Sequence, residues 1–273
     1  MTRRLLIRPG GIGDCLLCFP AMEALCADYT EVWVPGAVVP LVRFANRVRS
    51  IASTGLDTLG IPCRAPSTRL VDELRGFDSI VSWYGANREE FAAAMRELGL
   101  APEFRTALPP ADSQVHAVDF FLGGGTSGTA YPSLTPEVEA GGAPYIAIHP
   151  FSGSTNKNWP LSKFRELEAR LPLPAVYCAS PEQPLAGAVQ YADLYRLAGW
   201  IRGAAAYIGN DSGITHLAAA TGVPTVALFG YSNSRIWAPR GPRVRIVEGG
   251  SSLADIETDA VIDALRSVLQ PRD

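Results

Sequence analysis

Lysine is almost missing from this chain: of its 24 basic Lys and Arg residues only Lys157 and Lys163 are lysine. A lysine in a polar, glycine-containing loop, as Lys157 is, therefore stands out from an arginine background. Cysteine is also sparse. Five residues, an odd count in a chain of 273, point to reduced thiols rather than a disulfide framework. Cys15 and Cys18 have C-x-x-C spacing, but Leu16, Leu17 and Phe19 make them read as an apolar helix face instead of a redox pair. No second Cys pair or Cys/His cluster supplies zinc ligands. A formal charge of −3 gives no net field for nucleic acid. No apolar run approaches a membrane span, and Met1 to Arg8 reads as a basic cap on a short strand instead of a secretion signal. These absences lead to the expectation of a soluble, cytoplasmic protein that binds no nucleic acid.

What is present is βαβ alternation, in a chain long enough for two domains. In the first half, Leu5–Ile7, Val32–Val34 and Ser79–Trp83 read as strands, with Ser50–Ala52 extended. Helical patterns cover Asp14–Ala27, Val39–Ala45, Leu70–Leu74 and Arg88–Leu98. His116–Leu122 is a further candidate helix. From Pro109 to Pro144 the pattern gives way to loop, with Gly123, Gly124, Gly125, Gly141 and Gly142 in it. The second half resumes with strands at Tyr145–Ile148, Val176–Cys178, Ala206–Ile208, Val223–Phe229 and Val244–Val247. Helices are expected at Leu161–Leu171, Asp193–Ala204, Gly213–Thr221 and Ala254–Leu269, the last with Ile256, Val261, Ile262, Leu265, Val268 and Leu269 on its apolar face. The expected fold is α/β: two Rossmann-like, doubly wound parallel-sheet domains, residues 1–143 and 144–273, facing across a cleft.

Three segments gather chemistry at expected C-terminal strand edges, where open α/β sheets bind ligands. In the segment from Arg8 to Leu25, Gly10–Gly13 form a turn that delivers Asp14 to a helix start. A dinucleotide fingerprint fails there, because with Gly11 and Gly13 as its first glycines the third falls at Leu16. Asp14 reads equally as a helix cap or as a carboxylate serving a ligand. In the segment from His149 to Leu167, Ser152, Gly153 and Lys157 lie in a polar loop whose amides and ammonium suit phosphate, although an ordinary surface loop has the same composition. In the segment from Tyr207 to Gly230, Asp211, Ser212, Thr215 and His216 crowd a helix N-terminus, which favours anions. Capping accounts for one Asp or Ser but does not call for Thr215 and His216. Arg43 and Arg47, four apart on an expected helix, present either a solvated face or a grip for acceptor phosphates.

In order and spacing these segments resemble glycosyltransferase family 9, the ADP-heptose:lipopolysaccharide heptosyltransferases. The likeness rests on Gly13, Asp14 and Pro20; on His149, Ser152, Gly153, Lys157, Trp159 and Pro160; and on Asp211, Ser212, Gly213, His216, Ala218, Ala219, Gly222 and Pro224. It implies a GT-B architecture and an inverting transfer that needs neither metal nor cofactor; the chain has no D-x-D motif. By the same resemblance Asp14 is the general base, beside Gly13 in the acceptor site. Lys157 lies at the donor phosphates and Asp211 near the transferred sugar. Ser212, Gly213, Ile214, Thr215 and His216 form the helix start that receives the diphosphate, and Glu182 matches a ribose-binding acid more loosely. The implied partners are a nucleotide-sugar donor, ADP-linked, and a glycan or glycolipid acceptor; the latter allows peripheral contact with the inner membrane. A non-catalytic nucleotide-sugar-binding module of the same fold is the alternative. A nicotinamide-dependent oxidoreductase is disfavoured by the glycine spacing.

Overall fold

The computed structural model describes residues 1–124, 128–138 and 142–270. Gly125 and Gly141, assigned above to loop, lie outside the described residues. Contacts divide the chain into two units, Met1–Gly11 with Cys18–Ala111, and Ile12–Leu17 with Asp112–Asp273.

The first unit is built on β1 (Arg3–Ile7), β2 (Tyr29–Val34), β3 (Arg47–Ser50), β4 (Ser79–Ser82) and β5 (Glu103–Phe104). They form one parallel sheet in the order β3-β2-β1-β4-β5. Leu5, Leu6 and Ile7 are all fully buried, as a strand covered on both faces requires. Helix α1 (Ile12–Ala24) follows β1, while α2 (Thr68–Arg75) and α3 (Glu89–Glu97) flank β4. Leu5, Ile7 and Trp33 pack with Leu70 and Leu74 of α2 and with Phe91 and Met95 of α3. Cys15 and Cys18 are buried in α1 and form no disulfide, in keeping with an apolar helix face.

The second unit adds α4 (Ala117–Phe121), β6 (Ile146–His149), α5 (Leu161–Glu168), β7 (Ala175–Tyr177), α6 (Leu194–Arg202) and β8 (Ala206–Asn210). It ends with α7 (Gly213–Ala220), β9 (Thr225–Phe229), α8 (Ser234–Trp237), β10 (Val244–Glu248) and α9 (Thr258–Leu269). Its sheet is also parallel, ordered β10-β9-β8-β6-β7. Ile146, Ile148, Ile208, Val226 and Leu228 join Trp159, Phe164, Val261 and Leu265 in the core.

The two sheets are wound differently. The first has the Rossmann order, with β1 and β4 flanking the point where the strand order reverses; the second has the flavodoxin-like order, reversing between β6 and β8.

Several local expectations need correction. Ser50–Ala52 is not extended throughout: the strand occupies Arg47–Ser50 and Ile51–Ser53 is a 3-10 turn. This edge strand carries charge in place of an apolar run, and Arg49 is held by Glu73 at 2.6 Å. Val39–Ala45 is not a helix. A 3-10 turn covers Gly36–Leu41 with Pro40 inside it, where a missing N–H and the β-branched Val38 and Val39 oppose an α-helix. Arg43 and Arg47 therefore share no helix; Arg47 opens β3 and lies 3.7 Å from Glu31. The last helix starts at Thr258, after a separate 3-10 turn at Leu253–Asp255, so Ile256 precedes it, and Leu269 is 36% exposed.

Candidate active site

The second unit's switch point brings its two polar loops together. β6 and β8 are hydrogen-bonded neighbours, with His149 opposite Gly209, so the chain leaves both strands at the same edge. Asn210 ties the exits to each other. Its side-chain amide donates to Pro150 O at 2.7 Å and its Oδ1 accepts from Trp159 N at 3.1 Å. Trp159 is anchored in turn by its indole N–H, which donates to Ile256 O at 3.1 Å. The loop between these anchors carries Ser152, Gly153 and Lys157. Ser152 Oγ donates to Ser154 O at 2.6 Å, and a Cβ at Gly153 would meet open space. Lys157 Nζ lies 2.6 Å from Asp211 Oδ2; the carboxylate is 8% exposed and the lysine 30%.

Helix α7 begins beside this pair. Ser212 is its N-cap, accepting from Thr215 N, and not Asp211. That leaves the Asp211 carboxylate to Lys157. Thr215 is buried, and its hydroxyl donates to Asn210 O at 2.5 Å and lies 3.1 Å from the Tyr207 hydroxyl. Gly213 and Ile214, the first two residues of α7, are half-buried.

The first turn of α1, counted with this unit, meets the start of α7. A Cβ on Gly213 would lie 2.7 Å from Ile12 Cβ and 3.2 Å from Gly13 N. A Cβ on Gly13 would lie 2.8 Å from His216 Cδ2. Two helix N-termini thus converge glycine to glycine, and each contributes a positive dipole end. Asp14 stands in the first turn of α1 as its third residue, so it is not the cap.

His216 is buried, and its Nδ1 has no hydrogen-bonding partner. Burial lowers its pKa to about 4; Asp211 and Asp14 oppose the shift and Lys157 adds to it. The imidazole is therefore neutral at pH 7, among two carboxylates and an ammonium. His149, at the end of β6, is likewise lowered to about 4 by burial. Glu182 lies at the same sheet edge beyond β7, exposed in a turn closed by the Ser180–Gln183 bridge. The Ser180 hydroxyl, hydrogen-bonded to it, lowers its pKa. Among the described residues no group of three His, Cys, Asp or Glu could hold a metal ion. No helix among them is long and apolar enough to cross a membrane.

Sequence reading located the loop and helix residues of this site. It missed Asn210, although an amide directly before the D-S-G signature, at a strand end, is a signal for a loop tie. It also missed the packing of Gly13 on His216, for which neither residue type gives a signal.

Two parallel-sheet α/β units, with a polar loop and a helix start at a switch point, give a fold of the GT-B type. E. coli ADP-heptose lipopolysaccharide heptosyltransferase II is similar over 98% of both chains, with a TM-score of 0.74 and 19% identity. E. coli heptosyltransferase WaaC with ADP is similar over 98% of this chain and 100% of its own, at 0.68 and 17%. A glycosyltransferase family 9 member from Veillonella parvula is similar over 98% and 97%, at 0.72 and 16%. No curated protein sequence matches the chain. Residues 128–260 match the family described as glycosyltransferase family 9 (heptosyltransferase). The matched stretch contains Lys157, Asp211 and α7.

Proposed function

We propose that this enzyme transfers a heptose, with inversion and without a metal ion, from ADP-heptose to a hydroxyl of a lipopolysaccharide-core or related glycan. The observation that carries this reading is the convergence of the α1 and α7 N-termini beside Lys157, with Asp14 in the first turn of α1. Two dipole ends and an ammonium suit a diphosphate that gains charge as it leaves. The ADP and heptose identities rest on the E. coli neighbours, one with ADP and one named for ADP-heptose.

In this mechanism Asp14 accepts the proton of the acceptor hydroxyl as its oxygen attacks the anomeric carbon. The bond from that carbon to the diphosphate breaks on the opposite face, which inverts the centre. Lys157 and the helix start at Ser212, Gly213, Ile214 and Thr215, by its dipole and its first amides, take up the charge on the departing diphosphate. Asp211 holds Lys157 in place and faces the sugar. Glu182 binds the ribose, on the β7 side of the phosphates. Residues 144–273 then supply the donor site and residues 1–143, with Gly13, Asp14, Arg43 and Arg47, the acceptor site. The reaction takes place in the cytoplasm, at the inner membrane where the acceptor is a glycolipid.

The test measures transfer and donor binding together. Asp14→Asn should lower turnover at least about 100-fold while the Kd for ADP-heptose stays within about threefold. Excess EDTA should leave the wild-type rate unchanged. Near wild-type turnover by Asp14→Asn would remove Asp14 as the base. Donor that is bound but consumed with no acceptor would favour a non-catalytic binding module.

A further inference from the structure

Helix α1 has a proline in its interior, Pro20, the residue type least tolerated there. Among the described residues no other α-helix contains one. Pro20 has no N–H to close the helical bond to Leu16 O, and its ring crowds that carbonyl. The helix runs on to Ala24, so Pro20 does not end it, and the residue is only half-buried, so it is not there to fill the core. We infer that Pro20 is a positioning residue for the transfer: it makes a joint in α1 that lets the first turns, with Asp14, be placed by α7 instead of by the first sheet. The inference rests on the proposed role of Asp14 as base and deepens it.

The two halves of α1 are anchored on different partners. The division of the chain into units falls inside this helix, between Leu17 and Cys18. Ahead of it, Ile12 and Gly13 meet Gly213 and His216, and a Cβ on Gly13 or Gly213 would fall 2.8 or 2.7 Å from a side chain of the facing helix. Behind it, Phe19 rests edge-on against Phe44, with ring centres 5.4 Å apart, and Met22 is fully buried. Arg4 of β1 donates to Leu25 O at 2.8 Å, just past the helix end. The helical bond that Pro20 cannot make, to Leu16, is one of those that would cross the division.

The first half has a joint at its other end too. Gly10, between β1 and α1, has a φ of 117°, a conformation that residues with a Cβ rarely adopt. Ile12–Leu17, with Asp14 on it, thus lies between a glycine turn and a proline. A base must keep its place against the reacting carbon, since an error of about 1 Å costs on the order of 100-fold in rate. Seated on α7, Asp14 keeps its distance to the helix start that receives the diphosphate. A helix unbroken at residue 20 would pass strain from its Phe19 end straight to Asp14.

Steady-state kinetics, ADP titration and thermal melting of two variants test this. Pro20→Ala restores the N–H and removes the ring. It should raise the melting temperature by about 3 °C yet lower kcat about tenfold, with the ADP Kd within about twofold of wild type. A merely structural residue would not give higher stability with slower turnover. Pro20→Gly keeps the helix weak at the same point and should hold kcat within about threefold. In the wild type, ADP should slow amide exchange over residues 12–17 and leave residues 21–24 unchanged. The joint is overturned, with the donor reading left standing, by wild-type kcat or a lower melting temperature in Pro20→Ala, or by an ADP Kd that weakens in step with its kcat. Equal losses of kcat in the two variants, or equal slowing of both halves of α1 by ADP, do the same. Wild-type protein that neither binds ADP nor consumes ADP-heptose overturns the donor reading, and the role of the joint with it.

Discussion

Gly13 has an ordinary helical backbone, and its φ is not among the positive ones. In such a place Gly→Ala normally stabilises a helix by about 1 kcal/mol. Here the added methyl would press on the buried His216 ring at 2.8 Å. Gly13→Ala should therefore destabilise by about 1–3 kcal/mol, the opposite sign. The double variant with His216→Ala should recover much of the loss, and a double-mutant cycle by urea denaturation measures the coupling. Failure of the second change to rescue would mean that the imidazole is not the obstacle. At this scale Asp14, Lys157 and Asp211 were legible because charged residues in glycine-rich turns stand out. The Gly13–His216 contact was not, because it is made by tertiary packing between segments distant in the chain.

Asn210 shows how a single side chain makes two loops into one element. It is fully buried and joins the exit of β6 to the residue that precedes Pro160 and α5. Asn210→Ala would leave Trp159 N and Pro150 O without their partner, a loss of about 2–4 kcal/mol for two buried groups. The expected readout is a lower urea midpoint together with weaker ADP binding, because Lys157 rides on the released loop. Unchanged ADP affinity would mean the loop is held elsewhere. Sequence periodicity found α3, α5, α6 and α7 within a few residues because each has a clear apolar stripe or a capping residue at its start. It failed at Gly36–Leu41 and at Leu253–Asp255, where Pro40 in one and a break before Glu257 in the other produce 3-10 turns. It placed β3 too late, at Ser50–Ala52, and missed β5: the first alternates arginine with Val48 and Ser50, and the other is two residues long.

Over the whole molecule, all three histidines are buried and each has its pKa lowered from 6.5 to about 4. Desolvation is the largest cause in every case. His116 is further fixed as neutral: its Nδ1 accepts from Val118 N, and its Nε2–H donates to Ala238 O at 2.9 Å. The sign follows from linkage. An unfolded histidine takes up a proton below pH 6.5 and the folded one does not until about pH 4, so the unfolded state gains protons first and stability falls across that window. The melting temperature should decline as pH is lowered from 7 toward 4.5, before ordinary carboxylates titrate. His116→Gln should flatten part of the slope; a wild-type profile flat from pH 7 to 5 would refute the assignment. The alternation of strands and helices made two parallel-sheet units legible at this scale. Strand order was not, since it depends on which edges pair in space, and sequence gave no hint that one sheet is Rossmann-ordered and the other flavodoxin-like.

An acylating reagent meets only two side-chain amines on this chain, so labelling there would have few places to go. Lys163 is occupied, its ammonium donating to Ala254 O at 2.9 Å and Ile256 O at 2.8 Å. Lys157 stands 6.0 Å from the ring centre of Tyr231, held by one carboxylate. A covalent tag on that single amine, read by peptide mass, would report occupancy of the site without a substrate turnover, against a surface whose guanidiniums stay silent.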